Sequence, residues 1–380
     1  MILCENGPDG RAVLFDGALE LVTAWTADEV VPAMETLDAA RAQGHWIAGY
    51  ATYEAGLALE PRLATQARSG GEEPLLCFGI YSGPLLADAV LAQAAELSRE
   101  IRLTPPVPTV NRTDYDKAMH RIAAYIVAGD CYQINLTFPL QSQLSGGSPI
   151  ALFAALRAGQ WVGHGAFCDL GSGPAVVSLS PELFFAVDAT GRISARPMKG
   201  TAPRGTDPDE DATLAEELFQ SEKARAENLM IVDLLRNDIS RISHVGTVKV
   251  PELFKVEAFA TVHQMSSRVV GQLIGTPGLT DLMRALLPCG SITGAPKIRA
   301  MEIIAELERE PRGVYCGAIG WMAPDGCAAF NVAIRTLRVY SDGRVKLNVG
   351  GGVVADSTPD GEWEEALWKT RFVTQVVNRG

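Results

Sequence analysis

The chain has 380 residues, of which 47% are apolar and 21% charged, and its formal net charge at pH 7 is −12. This composition is typical of a compact protein with a large core, and no run approaches the roughly 20 apolar residues that a membrane span requires. The negative charge argues against nucleic acid or an anionic membrane as a partner, because both attract positively charged surfaces.

The start of the chain and its cysteines predict a cytoplasmic protein. Glu5 and Asp9 lie where a secretory signal peptide would need a basic end and a longer apolar run. The seven cysteines are scattered and form no C-x-x-C pair. This usage favours a reducing compartment over a disulfide framework.

A proline-rich segment, residues 102–111, is the clearest break along the chain. Three prolines within four residues exclude the interior of a helix or a sheet, because proline lacks the backbone N–H that both require. We therefore predict an N-terminal variable subdomain (1–101) that adds strands to a common sandwich, a linker (102–111) and a catalytic domain (112–380).

Apolar periodicity predicts the elements that follow this linker. Thr113 is expected to cap a helix that stops at Gly129, and further helices are expected over roughly 211–242, over 297–310 and over 360–377. Strands are expected in the segments CYQINLTF, AVVSLS, ELFFAVD, RISARPM, GAIGWM, AAFNVAIRTLRVY and RVKLNVGGGVV. Because the strands cluster without regular βαβ alternation, the predicted fold class is α+β, with large, mostly antiparallel sheets packed as a sandwich and flanked by helices.

The segment RPMKGTAPRG places Lys199 between Arg196 and Arg204 on a predicted loop. Three neighbouring cations repel one another, so the segment indicates either a bound anion or an amine that is kept uncharged. A free lysine has a pKa of about 10.4, and burial or nearby cations lower it. We expect the two arginines to contribute to such a shift if they lie close to Lys199; the alternative is a lysine that only forms a salt bridge.

Three carboxylates are expected on core-facing sides of two helices. Glu227 begins an apolar stripe, and Glu362, Glu365 and Lys369 share one face of the last helix. A buried carboxylate needs a cation, and Mg²⁺ prefers oxygen ligands and uses only one or two carboxylates. The pattern therefore favours a Mg²⁺ site, and the alternatives are a half-buried salt bridge at Glu227 and a solvated acidic face on the last helix.

Two glycine-rich segments restrict the ligands that the chain could bind. CGSITGAPK, residues 289–297, is a turn that leads into a helix, where free N–H groups attract a carboxylate or phosphate. Its lysine does not follow the final glycine directly, so the segment is not a P-loop. GGGVVAD, residues 350–356, allows close approach of the backbone but lacks the pattern of a dinucleotide-binding fold.

Seven motifs in order resemble those of the chorismate-utilising enzymes: SLSPELFF, RPMKGT, AENLMIVDLLRND, GSITGAPKIRAMEII, IRT, GGGVVADS and EWEEALWK. The resemblance extends from about Thr113 to the C-terminus. It implies the fold of the anthranilate synthase large subunit, chorismate as substrate and Mg²⁺ as cofactor. No cysteine has the setting of a glutaminase nucleophile, so the resemblance also implies a separate glutamine amidotransferase subunit that supplies ammonia.

The same resemblance implies roles for individual residues. Lys199 would be the nucleophile and Glu182 the acid, while Glu227 and Glu365 would hold Mg²⁺ with Glu362 in its water shell. The substrate-binding positions that it implies are Thr293, Tyr315, Arg335, Gly350, Gly351, Gly352, Lys369, Gln133 and Gln264, the last of which replaces a histidine of many relatives.

Two of these positions separate the activities within the family. Isochorismate and salicylate synthases carry a lysine at the position of Gln133, and anthranilate synthases carry an alanine at the position of Lys199. The combination of Gln133 with Lys199 therefore implies an aminodeoxychorismate synthase activity, which serves para-aminobenzoate and folate biosynthesis. Anthranilate synthase component I activity is the alternative.

Overall fold

The computed structural model describes residues 1–68, 71–259 and 262–377, so the last three residues of the predicted catalytic domain lie outside it. The strands are β1 Ile2–Cys4, β2 Val13–Phe15, β3 Glu20–Ala24, β4 Trp46–Ala51, β5 Leu76–Tyr81, β6 Leu85–Leu86, β7 Arg102–Leu103, β8 Val107–Pro108, β9 Gln133–Gly146, β10 Ala166–Cys168, β11 Ala175–Ser178, β12 Leu183–Val187, β13 Arg192–Arg196, β14 Met198–Pro203, β15 Lys249–Ala258, β16 Val262–Gln272, β17 Gly294–Ala295, β18 Ala318–Met322, β19 Ala328–Val332, β20 Thr336–Val339 and β21 Arg344–Val353. The helices are α1 Ala27–Ala42, α2 Tyr53–Ala58, α3 Asp88–Leu97, α4 Arg112–Val127, α5 Pro149–Gly159, α6 Pro208–Gln220, α7 Glu222–Ser240, α8 Leu279–Leu286, α9 Lys297–Leu307, α10 Pro359–Trp368 and α11 Arg371–Val377.

The strands form two large antiparallel sheets. The 11-stranded sheet has the order β17-β9-β21-β20-β11-β10-β1-β2-β6, with β7 and β8 also paired to β9. The 10-stranded sheet has the order β14-β16-β13-β12-β19-β18-β4-β5-β3, with β15 also paired to β16. The α+β class with antiparallel sheets is therefore confirmed.

A core of apolar side chains lies between the two sheets. Ile2 and Val176 from the 11-stranded sheet pack in one cluster with Tyr50, Ile319 and Trp321 from the 10-stranded sheet. The helices pack against the remaining apolar surface, as the buried faces of α1, α5 and α9 show. The molecule is thus a sandwich flanked by helices, which is the predicted arrangement.

The strands of residues 1–101 belong to both sheets. In the 10-stranded sheet β4 pairs with β18, and in the 11-stranded sheet β1 pairs with β10. The proline-rich segment runs along β9, which pairs with both β7 and β8. Strands from before and after this segment therefore share each sheet. Within the described parts of the chain, no helix has the length and apolar character needed to cross a membrane.

Several predicted elements are correct in kind but wrong in their limits. The helix expected over 211–242 is two helices, because Ser221 adopts an extended conformation and its side chain caps α7 by accepting from the Ala224 N–H. The closing helix is likewise divided into α10 and α11. The cap of α4 is Asn111 rather than Thr113, since the Asn111 side chain accepts from the Asp114 N–H.

The segment AAFNVAIRTLRVY forms two strands that belong to different sheets. β19 pairs with β12 in the 10-stranded sheet, and β20 pairs with β11 in the 11-stranded sheet. Arg335 lies at the crossing with a φ of 50°, a left-handed conformation that is uncommon outside glycine. The chain thus changes sheets at one of the residues expected to bind substrate.

Candidate active site

Lys199 lies on strand β14 at one end of the 10-stranded sheet, so the expected loop is wrong. The register between β14 and β16 shifts between Met198 and Thr201, which marks a β-bulge, and Gly200 within it has a φ of 92°. A bulge re-aims the side chains next to it. Gln264 supports this distortion by donating its amide N–H to the Gly200 carbonyl at 2.9 Å. The irregular strand thereby sets the direction of Lys199.

Lys199 and Gln133 meet at strand β21. A methyl group placed on Gly352 would lie 2.9 Å from both Lys199 Nζ and Gln133 Nε2. Gln133 begins β9, which pairs with β21 along its length. Three residues from three separate strands therefore converge, and glycine at position 352 leaves room for the two long side chains.

Gln133 and Glu182 present polar atoms that have no hydrogen-bonding partner. Gln133 is fully buried, Glu182 is 4% exposed, and neither Gln133 side-chain heteroatom nor Glu182 Oε1 finds a partner among the described residues. Burying an unpaired polar group costs free energy. Such atoms are expected where a ligand completes the hydrogen bonding.

The pKa values of Lys199 and Glu182 shift towards one another. Burial lowers the pKa of the Lys199 amine, the charge of Lys369 lowers it further, and the carboxylates of Glu227 and Glu182 oppose these effects. Burial raises the pKa of Glu182 from 4.5 to about 7, against the Ser291 hydroxyl and the Lys199 charge. A weakened base beside a weakened acid is typical of a site for nucleophilic and general acid chemistry.

The arginines that flank Lys199 in sequence are not among the main causes of this shift. Arg196 binds Glu257 at 3.0 Å, and Arg204 binds Asp211 at 2.7 Å, so both charges are used in other ion pairs. The expectation that these arginines lower the pKa of Lys199 is therefore wrong. The neighbouring cation is Lys369, which lies far away in sequence and could not be recognised from the local motif.

The carboxylates of Glu362 and Glu365 face Gly351 on β21. A methyl group on Gly351 would lie 2.8 Å from Glu362 Oε2 and 3.5 Å from Glu365 Oε1. Lys369 Nζ donates to Glu365 Oε1 at 2.9 Å and to the Gly350 carbonyl at 2.7 Å. Burial raises the pKa of Glu362; for Glu365 burial acts in the same direction, but the charge and the hydrogen bond of Lys369 together with the charges of Lys199 and Lys223 outweigh it, and the pKa is lowered. Two carboxylates and one amine of α10 and its C-terminal end thus contact the glycine segment of β21.

Glu227 approaches the same region from α7, which packs on β14 and β16. Burial raises the pKa of Glu227; the charge of Lys199 opposes this increase, and the charge of Glu365 adds to it. In the described residues no group of three or more acidic, histidine or cysteine side chains is close enough together to hold a metal ion. Glu365 nevertheless lies close enough to Glu227 to raise its pKa, and two such carboxylates fit a hard cation, since Mg²⁺ needs only one or two carboxylates when water and substrate supply the other ligands.

The structure places the remaining predicted binding residues in different settings. Thr293 is fully buried, and its hydroxyl donates to the Cys289 and Gly290 carbonyls. Tyr315 is 6% exposed. Arg335 is half-buried, burial lowers its pKa, and no carboxylate pairs with it among the described residues. Gln264 directs its amide to β14, where it also accepts from the Thr201 hydroxyl at 3.2 Å.

Three residues near the site were not singled out from the sequence. Asn228 is fully buried next to Glu227 and accepts from the Ser267 hydroxyl at 2.6 Å. The signal in the sequence is an asparagine within the apolar part of a predicted helix. Lys223 and Asp356 form an exposed ion pair of 2.9 Å between α7 and the segment after β21. Because its partners are 133 positions apart, no local pattern predicts this pair.

The chain is similar to one protein family and to individual enzymes of two kinds. Residues 4–375 match the family of chorismate binding enzymes. Aminodeoxychorismate synthase component 1 of Salmonella typhimurium is 43% identical over 283 residues, which cover 74% of this chain and 62% of that protein. Anthranilate synthase component 1 of Streptomyces coelicolor is 44% identical over 274 residues, which cover 71% of this chain and 53% of that protein.

The fold is also similar to that of a solved structure. The crystal structure of anthranilate synthase component I from Streptococcus pneumoniae superimposes with a TM-score of 0.79 at 25% identity, over 95% of this chain and 91% of that one. The matched part of this chain spans less than two thirds of the Salmonella and Streptomyces proteins.

Proposed function

The chain belongs to the family of chorismate binding enzymes, and from that premise we propose that it converts chorismate and ammonia to 4-amino-4-deoxychorismate. The observation that carries this proposal is the convergence of Lys199 with Gln133 beside Gly352. An amine of lowered pKa at this position can act as a nucleophile. An uncharged amide at position 133 cannot remove a proton from water, which argues against hydroxylation of the ring.

In the first half of the proposed reaction, the neutral Lys199 amine adds to C2 of the chorismate ring. The ring double bonds shift, and the C4 hydroxyl leaves as water after it takes a proton from Glu182. The raised pKa of about 7 keeps a fraction of Glu182 protonated near neutral pH. The products of this half are water, the Glu182 carboxylate and a covalent adduct whose Lys199 nitrogen carries a positive charge.

In the second half, ammonia adds at C4 and the double bonds shift back. The bond between C2 and the Lys199 nitrogen breaks, and the amine leaves in its neutral form. The added ammonia loses a proton to the Glu182 carboxylate, which restores the acid for the next turnover. The sum is chorismate plus ammonia to 4-amino-4-deoxychorismate plus water, so atoms and charges balance.

We assign binding roles to the residues around Lys199. Arg335, which pairs with no carboxylate of the residues that the structure describes, suits a substrate carboxylate because its planar fork can bind both oxygens. Tyr315, Thr293, Lys369, Gln264 and the backbone of Gly350, Gly351 and Gly352 would complete the substrate pocket. Glu227 and Glu365 would hold Mg²⁺ with Glu362 in its water shell, and the ion would supply positive charge that orients the ring carboxylate.

Ammonia would come from glutamine through a separate amidotransferase subunit. The name "component 1" of the Salmonella relative is consistent with a second component. Free ammonium should then support a slower reaction. The product would serve para-aminobenzoate and folate biosynthesis.

Anthranilate synthase activity is the second candidate, because the Streptomyces relative with that name is 44% identical. Overall identity does not separate the two activities, since the Salmonella aminodeoxychorismate synthase component is 43% identical. The residue that favours our proposal is Lys199, which the resemblance associates with aminodeoxychorismate synthases.

The experiment that tests the proposal is mass spectrometry of the product formed from chorismate, Mg²⁺ and ammonium. We expect 4-amino-4-deoxychorismate. Anthranilate formed without an added lyase would overturn the proposal in favour of the second candidate. Failure to consume chorismate would indicate a binding or regulatory protein instead.

A further inference from the structure

Arg312 lies in the segment between α9 and β18 and is 1% exposed. Its guanidinium donates to Glu308 Oε2 at 2.8 Å, to Glu308 Oε1 at 2.8 Å, to the Ile292 carbonyl at 2.8 Å and to the Asn135 carbonyl at 2.6 Å. It also lies 4.5 Å from the centre of the Tyr53 ring. Two of its bonds therefore go to one carboxylate, and two go to the main chain of separate segments.

The segments that Arg312 joins carry residues of the candidate site. Ile292 directly precedes Thr293, and Asn135 is the second residue after Gln133 on β9. Arg312 itself lies three positions before Tyr315. The Arg312 side chain is thus hydrogen-bonded to the backbone next to Thr293 and near Gln133, and Arg312 itself is close in sequence to Tyr315.

The carboxylates around Arg312 fix the same segments from the other side. Glu308 also accepts from the Thr137 N–H at 2.8 Å and from the Thr137 hydroxyl at 3.0 Å, so it joins the end of α9 to β9. Glu54 accepts from the backbone N–H groups of Arg312 and Gly313 at 2.7 and 2.9 Å. The network therefore holds the chain before Tyr315 as well as the turn before Thr293.

Stability alone is a weak explanation for such a network. A buried ion pair must overcome the desolvation of both charges, and well-packed apolar residues of similar volume are often as stable. What an arginine supplies is geometry, because its rigid fork reaches acceptors in several directions at once. A lysine has one nitrogen and cannot keep the bidentate bond together with both carbonyl bonds.

We infer that Arg312 is a positioning residue that fixes Thr293, Gln133 and Tyr315 relative to one another, so that the pocket accepts chorismate. This inference rests on the proposed function for the choice of substrate. The loss of Arg312 should mainly affect substrate binding. Lys199 lies on β14 and Glu182 directly precedes β12, and no residue of these two strands forms a hydrogen bond with the Arg312 side chain.

The test is the steady-state kinetics of Arg312→Lys, followed by chorismate consumption with Mg²⁺ and ammonium. We expect KM for chorismate to rise about ten-fold or more while kcat changes less than about three-fold, as for the loss of interactions made equally in ground and transition states. A residue that only stabilises the fold would lower the active fraction, and hence kcat, at unchanged KM. That result would overturn the inference.

A matched control is Arg338→Lys. Arg338 is 4% exposed and pairs with the buried Glu73 at 2.7 Å, so it has comparable burial and a comparable partner. Its side-chain partners, Glu73 and Asn348, are not among the proposed site residues. We expect this variant to lose thermal stability without a change in KM. An equal rise in KM for both variants would count against a specific role of Arg312.

A second variant protects the test against misfolding. Glu308→Gln keeps the shape of the side chain but weakens its hold on Arg312, and we expect KM to rise in the same direction. If neither Arg312→Lys nor Glu308→Gln gives a folded protein, Arg312 is a core residue and the inference fails. Because KM is read from chorismate consumption, it remains measurable even if the wild-type product proves to be anthranilate, which would overturn only the proposed function.

Discussion

Lys199 is an amine whose direction is set by a bulge and whose charge is opposed by burial. The motif RPMKGT indicates Lys199 as the candidate nucleophile, and a lysine nucleophile needs a lowered pKa because only the neutral amine can attack. The cation that helps to lower it is Lys369, 170 positions away along the chain. The sequence therefore indicates the direction of the Lys199 pKa shift but not the neighbouring cation, because residues that are close in sequence need not be close in space.

Replacing Lys199 with alanine should remove the proposed nucleophile and leave the rest of the pocket in place. We expect Lys199→Ala to lower ammonium-dependent kcat by about 100-fold or more, or to divert the product, while the dissociation constant for chorismate changes less than about three-fold. Turnover and calorimetric titration with chorismate measure the two effects. Lys255→Ala is a suitable control, since Lys255 lies on β15 with a side chain that is 53% exposed. Unchanged turnover in Lys199→Ala would contradict covalent catalysis.

Glu182 should make the stability of the fold depend on pH. Its pKa is about 7 in the folded protein and 4.5 when unperturbed, so the folded state holds the proton more tightly. Stability is then full below about pH 4.5 and falls as pH rises towards 7, by up to about 3 kcal/mol.

In Glu182→Gln this loss should be absent. We expect the melting temperature of the variant, relative to wild type, to increase from pH 4.5 to 7 and to level off above that range. Thermal melts across this range give the answer, with Glu96→Gln as a control at an exposed position of α3. A constant difference between variant and wild type would show that Glu182 does not hold a raised pKa.

Strand β21 shows how neighbouring residues of one element divide their tasks. A methyl group on Gly350 would lie 2.1 Å from the Leu136 carbonyl and 2.7 Å from Thr137 Cα, both of which are backbone atoms of β9. A methyl group on Gly352 would instead meet the ends of the Lys199 and Gln133 side chains at 2.9 Å. Glycine is needed at both positions, at the first for pairing of the strands and at the second for space in the site.

These two glycines should respond differently to the same change. Gly350→Ala should lower the melting temperature or prevent folding, because backbone cannot move aside cheaply and overpacking costs about 1–3 kcal/mol or more. Gly352→Ala should keep most of the stability but lower kcat/KM by about ten-fold or more, since it displaces Lys199 and Gln133. Melting curves and chorismate consumption of both variants test this division. If the two variants lost stability equally, it would be wrong.

At the level of elements, periodicity predicted the kinds of structure well and their limits less well. The helix of residues 297–310 appears as α9, Lys297–Leu307, because its apolar face is continuous. The break at Ser221 was missed, since neither proline nor glycine marks it and the serine acts only as a cap. The break at Arg335 was missed because the segment has strand-like composition throughout, and only the tertiary fold makes it change sheets.

At the scale of the whole molecule, the pairing of distant strands could not be read from the sequence. Turn signals indicate the presence of most strands, but β4 lies between β5 and β18, elements separated by more than two hundred residues. Such pairing depends on which surfaces match after collapse. Its consequence is that both sheets need the first hundred residues.

A fragment of residues 112–380 should therefore not fold alone. Without β4, the strand β18 would become an edge, although all five of its residues are buried in the intact chain. An exposed apolar edge favours aggregation. We expect the fragment to be insoluble or to bind a hydrophobic dye, and co-expression with residues 1–101 to restore soluble protein. A fragment that melts cooperatively by itself would contradict this expectation.

Arg335 sits at the crossing between the sheets in a backbone conformation that suits glycine or asparagine better, at a cost of about 1 kcal/mol or more. Selecting random variants of this position for heat resistance alone should therefore enrich glycine and asparagine. Selecting the same library for growth that depends on the product of the proposed reaction should return arginine. The two outcomes together would separate what the kink requires from what the guanidinium provides.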